Sequence, residues 1–226
     1  MKLFLDTADT VEVDCYTRLG IIDGVTTNPT ILSKMPGDWK ARCKIIAEMV
    51  QGLPVSVEVT ESEIRKMIEQ AQEIAGWSAN INVKIPVHGV DGGLDYLDVV
   101  HALESSGIRV NVTACMSAQQ CMLAAMAGAT YVSLFGGRVA NMGHDPRVEI
   151  AKTRALLDCI PRLPINIKAK PQLIVGSVRE AANVTEWFLA GADIVTVTPQ
   201  LIETMVRHPY TTETVQQFLA DGGKLR

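Results

Sequence analysis

The sequence reads as an α/β protein, a single-domain (β/α)8 barrel. Three observations carry that reading. Eight short β-branched runs alternate with longer helical patterns along the chain. Three connections repeat one pattern, a glycine closing a helix directly before a β-branched run: "SSGIRVNV", "MAGATYVS" and "LAGADIVTV". The length, 226 residues, is near the usual barrel size of about 250. A doubly wound open sheet uses the same units, but the strand count and the lack of a G-x-G-x-x-G turn after the first strand favour the barrel.

The first strand is read at Lys2–Asp6 and the second at Ile22–Thr26, with no helix assigned between them. "TTNPT" then reads as a turn, since Asn-Pro starts one. Residues 38–50 and 61–75 flank the third strand, Val55–Val59. Their apolar residues recur at three- and four-residue spacing (Ile45, Ile46, Met49; Ile64, Met67, Ile68, Ala71), which predicts two helices. The fourth strand, Asn82–Ile85, leads to a helix over 92–105, and the fifth, Arg109–Thr113, to one over 117–127. The sixth, Tyr131–Ser133, is followed by a helix over 146–159, and the seventh, Gln172–Gly176, by one over 180–190. The eighth, Ile194–Val197, precedes a helix over 200–207. A last helix over Thr212–Leu219 runs into a polar Asp221-Gly-Gly-Lys stretch, so 211–226 is helix and tail of one domain spanning 1–226. No Pro/Ser-rich linker divides the chain.

Composition narrows the function classes. Hydrophobic residues make up 47% and charged residues 20%, ordinary globular usage. A net charge of -4 gives no electrostatic case for nucleic acid or an anionic membrane. The five cysteines (Cys15, Cys43, Cys115, Cys121, Cys159) form no C-x-x-C pair and read as reduced, mostly buried thiols. The four histidines show no H-E-x-x-H spacing, so no metal site is expected. "MKLFLDTAD" reaches Asp6 after three apolar residues, too few for a signal peptide, and no apolar run has membrane-spanning length. The expected location is the cytoplasm.

Alternation then assigns faces. Both faces of a barrel strand are buried, one under helices and one in the interior. Val55, Val57 and Val59 share a face opposite Ser56 and Glu58. Val83 and Ile85 oppose Asn82 and Lys84, and Val110 and Val112 oppose Asn111 and Thr113. The apolar sets suit the helices, so Lys84 points inward. It arrives there with Asp6, Glu58 and neutral groups (Asn28, Asn111, Thr113, Ser133), near strand C-termini where barrel enzymes place catalytic groups. Such a set is either a site or an ion-pair network. A lysine so placed must be paired or become neutral, and a neutral amine attacks carbonyls.

A second cluster suits anions. "GSVRE" (Gly176, Ser177, Arg179) ends the seventh strand and opens a helix, and "SLFGGR" (Ser133 to Arg138) follows the sixth. Two arginines and a helix N-terminus on neighbouring loops can hold a phosphate. Met116, Met122 and Met126 read as helix and core filler.

Together, "FLDTAD", "DGVTTNPTIL", "VSVEV", "VKIPV", "NVT", "AGATYVSLFGGR", "SVRE" and "AGADIVTVTP" resemble the transaldolases, specifically the small-subunit group that includes the fructose-6-phosphate aldolases. The resemblance runs from residue 2 to about residue 219. It implies that Lys84 is a Schiff-base lysine, Asp6 a general acid/base, and Glu58 and Thr113 a pair holding a catalytic water. It further implies that Thr26, Asn28, Asn111 and Ser133 meet the dihydroxyacetone unit, and that Arg138, Ser177 and Arg179 contact phosphate. Sugar phosphates are the implied substrates, without a cofactor, in a homo-oligomer built as a pentamer or decamer. Glu58 and Phe135 resemble the transaldolase branch, since the aldolase branch carries Gln and Tyr there. An aldolase releasing free dihydroxyacetone and a non-catalytic sugar-phosphate-binding barrel are the alternatives. The family's Ser-Pro-Phe-Val-Gly-Arg is here Ser-Leu-Phe-Gly-Gly-Arg, and "NVTACMS" replaces a more hydrophobic run.

Overall fold

Each strand pairs in parallel with its neighbours in chain order, and the last closes on the first. The computed structural model describes residues 1–160 and 170–225. The strands are β1 (Lys2–Asp6), β2 (Gly24–Thr26), β3 (Val55–Glu58), β4 (Ile81–Pro86), β5 (Val110–Cys115), β6 (Tyr131–Phe135), β7 (Gln172–Gly176) and β8 (Ile194–Val197). This is the eight-stranded barrel that the sequence predicts.

Three helices were not read from the sequence. The first, α1 (Thr10–Leu19), is capped by Asp9, whose carboxylate accepts from Val11 and Glu12, and ends at left-handed Gly20. It buries only Val13 and Tyr16, so its apolar stripe is too thin to stand out. The single turn α2 (Pro29–Leu32) occupies the expected Asn-Pro turn, with the Asn28 side chain capping it at 3.0 Å from Ile31 N. The remaining helices are α3 (Trp39–Met49), α4 (Ile64–Ala75), α5 (Asp95–Ser105), α6 (Ala118–Met126), α7 (Gly136–Asn141), α8 (Pro146–Cys159), α9 (Ala181–Leu189), α10 (Pro199–Val206) and α11 (Pro209–Gly223). The third missed helix, α7, opens on two glycines, the weakest helix formers after proline.

Two cores result. The larger lies between barrel and helices and takes the outward strand residues, among them Val57, Val83, Ile85 and Val112. The smaller fills the barrel floor with Phe4, Tyr131, Ile174 and Ile194, the first two edge-to-face at 6.5 Å. Gly24 makes room for that floor, since a Cβ there would stand 2.7 Å from the Phe4 ring.

Carboxylates clip the N-terminal rim. Asp23 accepts from Leu3 N at 2.9 Å, Asp193 from Leu173 N at 2.7 Å, and one Glu104 oxygen from both Val110 N and Thr130 N at 2.8 and 2.7 Å. These bonds satisfy amides where strands begin and fix the register that decides what faces inward.

Candidate active site

The polar inward residues meet above the aromatic floor, in a cavity of about 510 Å³ at the strand C-termini. Lys84 is 5% exposed there. Its register neighbours on β3 and β5 are Glu58 and Asn111, side by side on one face. Lys84 Nζ lies 3.1 Å from Glu58 Oε2 and donates to the Thr27 carbonyl at 2.9 Å. Two acceptors this close take up two of the three donors of an ammonium group, which offsets part of the cost of its burial.

Asp6 shares the cavity wall. Removal from water pushes its carboxyl above the usual range, the hydrogen bond from Thr26 and the charge of Lys84 pull it down, and Glu58 pushes it up. Thr26 Oγ1 donates to Asp6 Oδ1 at 2.7 Å. Thr113, Ser133 and Asn28 also line the cavity. Asn111 does not: fully buried, it donates to Ser56 Oγ at 3.1 Å and accepts from Ser133 Oγ at 2.7 Å, so it orients the wall from behind.

At the end of β5 the chain bulges. Pairing with β6 shifts register between Val112 and Cys115, and Ala114 adopts φ 59°. The extra residue turns both Thr113 and Ala114 toward the cavity and sends Cys115 into the outer core. Met116 therefore lines the cavity and is not core filler, while Met126 is 53% exposed. Cys43, Cys115 and Cys121 are buried thiols as expected, whereas Cys15 and Cys159 are exposed.

Phe135, Arg138, Ser177 and Arg179 complete the opposite wall. The Arg138 guanidinium stacks over Phe135 at 5.7 Å, which holds its charge over the cavity rim. Just before α9, Asn183 Oδ1 accepts from Arg179 N and Glu180 N at 3.3 and 3.0 Å, so these two amides are engaged within the chain, while the Arg138, Ser177 and Arg179 side chains line the cavity. Thr196 and Thr198 of the β8 end also line the cavity, and sequence reasoning passed over both. In "IVTVTP" a threonine is indistinguishable from another β-branched strand residue. Among the described residues, no group of three His, Cys, Asp or Glu side chains could hold a metal ion, and no helix is long and apolar enough to cross a membrane.

A family model described as Transaldolase/Fructose-6-phosphate aldolase matches residues 3–224. The chain belongs to the transaldolase/fructose-6-phosphate aldolase family. It is 40% identical over 224 residues to a probable transaldolase of Brucella anthropi, covering 99% of this chain and 97% of that one. A probable transaldolase of Exiguobacterium sibiricum is 38% identical, covering 99% of both chains. Among solved structures, a cube-shaped porous cage designed by fusing symmetric oligomeric domains matches with TM-score 0.58 at 14% identity. That match covers 88% of this chain and 63% of the cage chain, a likeness of fold alone.

Within this family fold, the glycine at 136 in the strand-six motif has a packing cause. A Cβ on Gly136 would stand 2.8 Å from the Trp187 ring, and Trp187 is 1% exposed. The indole fills the volume that a side chain at 136 would need. Leu134 faces outward into the main core, fully buried.

Proposed function

We propose that this enzyme is a transaldolase that moves a dihydroxyacetone unit from fructose 6-phosphate or sedoheptulose 7-phosphate to an aldose phosphate through a Schiff base on Lys84. The observation that carries the reading is a buried lysine on the cavity wall, Lys84, with Glu58 3.1 Å from its Nζ and Asp6 on the same wall. The amine gives a proton to Glu58 or to water and attacks the ketose C2. The carbinolamine loses water to become a protonated imine, which serves as an electron sink. Asp6, as carboxylate, takes the C4 hydroxyl proton, the C3–C4 bond breaks and an aldose phosphate leaves. The enamine attacks the acceptor aldehyde, Asp6 returns its proton to the new C4 oxygen, and water hydrolyses the imine. The upward push of burial on Asp6 makes its carboxylate the stronger base for this exchange.

Thr113 Oγ1 is buried and has no hydrogen-bond partner among the described residues, which suits it to hold the water that Glu58 activates. Thr26, Asn28 and Ser133 meet the dihydroxyacetone hydroxyls, with Asn111 behind Ser133, and Arg138, Ser177 and Arg179 hold the phosphate. The transfer reading is preferred to aldol release because Glu58 and Phe135, which carry the transaldolase resemblance, both face the cavity. The same reading includes a cytoplasmic homo-oligomer, pentamer or decamer. No residue of α11 is buried, and its Tyr210, Phe218 and Leu219 stand 72%, 68% and 73% exposed, a face suited to a neighbouring copy.

Borohydride reduction with fructose 6-phosphate, followed by peptide mapping, tests the chemistry. Modification at Lys84 is expected. Binding of the sugar phosphate with no lysine labelled would instead mark a non-catalytic binding barrel.

A further inference from the structure

Thr26 Oγ1 stands 2.7 Å from Asp6 Oδ1 and 2.6 Å from Thr196 Oγ1, so three side chains from β1, β2 and β8 form a chain of two hydrogen bonds. A threonine hydroxyl has one proton to donate. When Asp6 is ionised it can only accept, so Thr26 donates to it, and the 2.6 Å contact then requires Thr196 to donate to Thr26. When Asp6 carries a proton it can donate to Thr26, which turns its own proton toward Thr196. The chain has two polarities, one for each charge state of Asp6.

The Thr196 side chain is held for this task. Its Cγ2 packs toward β7, 3.2 Å from where a Cβ on Gly176 would stand. A β-branched side chain has few alternatives at χ1, so seating the methyl there directs the hydroxyl across the barrel. Thr196 is 9% exposed, which shields the 2.6 Å contact from competing water. We propose that Thr196 is a positioning residue which, through Thr26, keeps Asp6 poised to accept a proton and to return it in each cycle. The proposal rests on the reading of Asp6 as general acid/base.

The charges that act on Asp6 come from other strands. Lys84 on β4 pulls its carboxyl down and Glu58 on β3 pushes it up, while Arg138 and Arg179 line the same cavity. β2 and β8 contain no titratable residue, so their influence on Asp6 is through hydroxyls. The bond from Thr26 is the largest influence opposing burial. A hydroxyl that itself accepts a hydrogen bond is a stronger donor. Loss of Thr196 therefore weakens the bond to the carboxylate, and Asp6 needs a higher pH to ionise.

The test compares pH profiles of kcat/KM for C–C cleavage in the native enzyme, Thr196→Val and Thr196→Ser. Valine keeps the shape and removes the hydroxyl, whereas serine keeps the hydroxyl. The acidic limb should move up by about half a pH unit or more in Thr196→Val, and return most of the way toward the native position in Thr196→Ser, which keeps the hydroxyl without the methyl that seats it. Thr196→Ala should shift the same limb and replaces the valine variant if that one does not fold. Titration of the Asp6 carboxyl by 13C NMR should move in the same direction without any turnover. Coincident limbs for valine and native enzyme, with Asp6→Asn inactive, overturn the role of Thr196 and leave the reading of Asp6 intact. Retained turnover in Asp6→Asn removes Asp6 as acid/base, and this proposal with it.

Discussion

Gly137 and Ser177 meet backbone to backbone, so closely that a Cβ on Gly137 would stand 1.9 Å from the Ser177 carbonyl oxygen. Ser177 holds φ 61°, a conformation few non-glycine residues adopt, and in it the carbonyl turns onto α7. Arg179 follows two residues later, so the contact sets where two candidate phosphate ligands stand. Gly137→Ala should displace the Ser177 turn. The expected result is a tenfold or greater rise in KM for sugar phosphates, at overpacking strain of about 1–3 kcal/mol. Unphosphorylated dihydroxyacetone should bind nearly as before. Equal losses for both ligands would make the glycine purely architectural.

Much of this arrangement was legible in the chain and some was not. The inward set on β3, β4 and β5 follows from period-two alternation, because helices claim the valine faces and leave Ser56, Glu58 and Lys84 the interior. Neither Ala114 at φ 59° nor Ser177 at 61° announces its left-handed backbone, since alanine and serine carry no such preference. The role of Gly136 was hidden because Trp187, which takes its side-chain space, lies on another helix. Thr196 was hidden for the same reason, its partner Thr26 being 170 positions away.

Lys84→Arg should keep the fold and lose essentially all activity. Arginine preserves the positive charge beside Glu58 but offers no amine that becomes neutral and attacks a carbonyl. Circular dichroism should match the native enzyme, and borohydride with fructose 6-phosphate should add no mass. Substantial turnover in this variant would rule out the Schiff base at 84.

Arg138→Ala and Arg179→Ala should each cost about 1.5–3 kcal/mol in sugar-phosphate binding, roughly tenfold to a hundredfold. Phe135→Leu should reproduce part of the Arg138 effect, because it removes the ring over which that guanidinium lies at 5.7 Å. Calorimetric titration with phosphorylated and unphosphorylated ligands separates charge recognition from general damage. An unchanged affinity for the phosphorylated ligand would exclude the arginines from the site.

Burial raises the Glu104 carboxyl, while bonds from Val110 and Thr130 and the charge of Arg109 lower it less. A raised native pKa means the folded state holds this proton more tightly. Its contribution to stability is therefore full below the unfolded value of about 4.3 and declines as pH rises through the raised native value. Glu104→Gln keeps an acceptor oxygen for both amides without a charge to bury. It should match the native enzyme at low pH and be more stable near neutrality. Glu104→Ala orphans two amides and should lose about 1–3 kcal/mol at either pH. Urea midpoints at pH 4 and pH 7.5 check this, and a glutamine variant as unstable as alanine at neutrality would contradict it.

Branch identity rests on Phe135, which shares the cavity with Lys84 and Asp6. If the enzyme is a transaldolase, its enamine must survive until an acceptor aldehyde arrives. Release of free dihydroxyacetone needs protonation at carbon and then hydrolysis by a well-placed water. A phenyl ring offers no hydroxyl to donate that proton or to hold that water, whereas a tyrosine does. Native enzyme should therefore pass the three-carbon unit to erythrose 4-phosphate faster than it releases dihydroxyacetone. Phe135→Tyr should raise release relative to transfer. The tyrosine keeps a ring under Arg138, so phosphate affinity should change little and the effect should appear in the product ratio. Free dihydroxyacetone is measured from fructose 6-phosphate with and without erythrose 4-phosphate. Native release as fast as transfer would assign the chain to the aldolase branch, with the Gly136–Trp187 packing behind Phe135 as the next place to mutate.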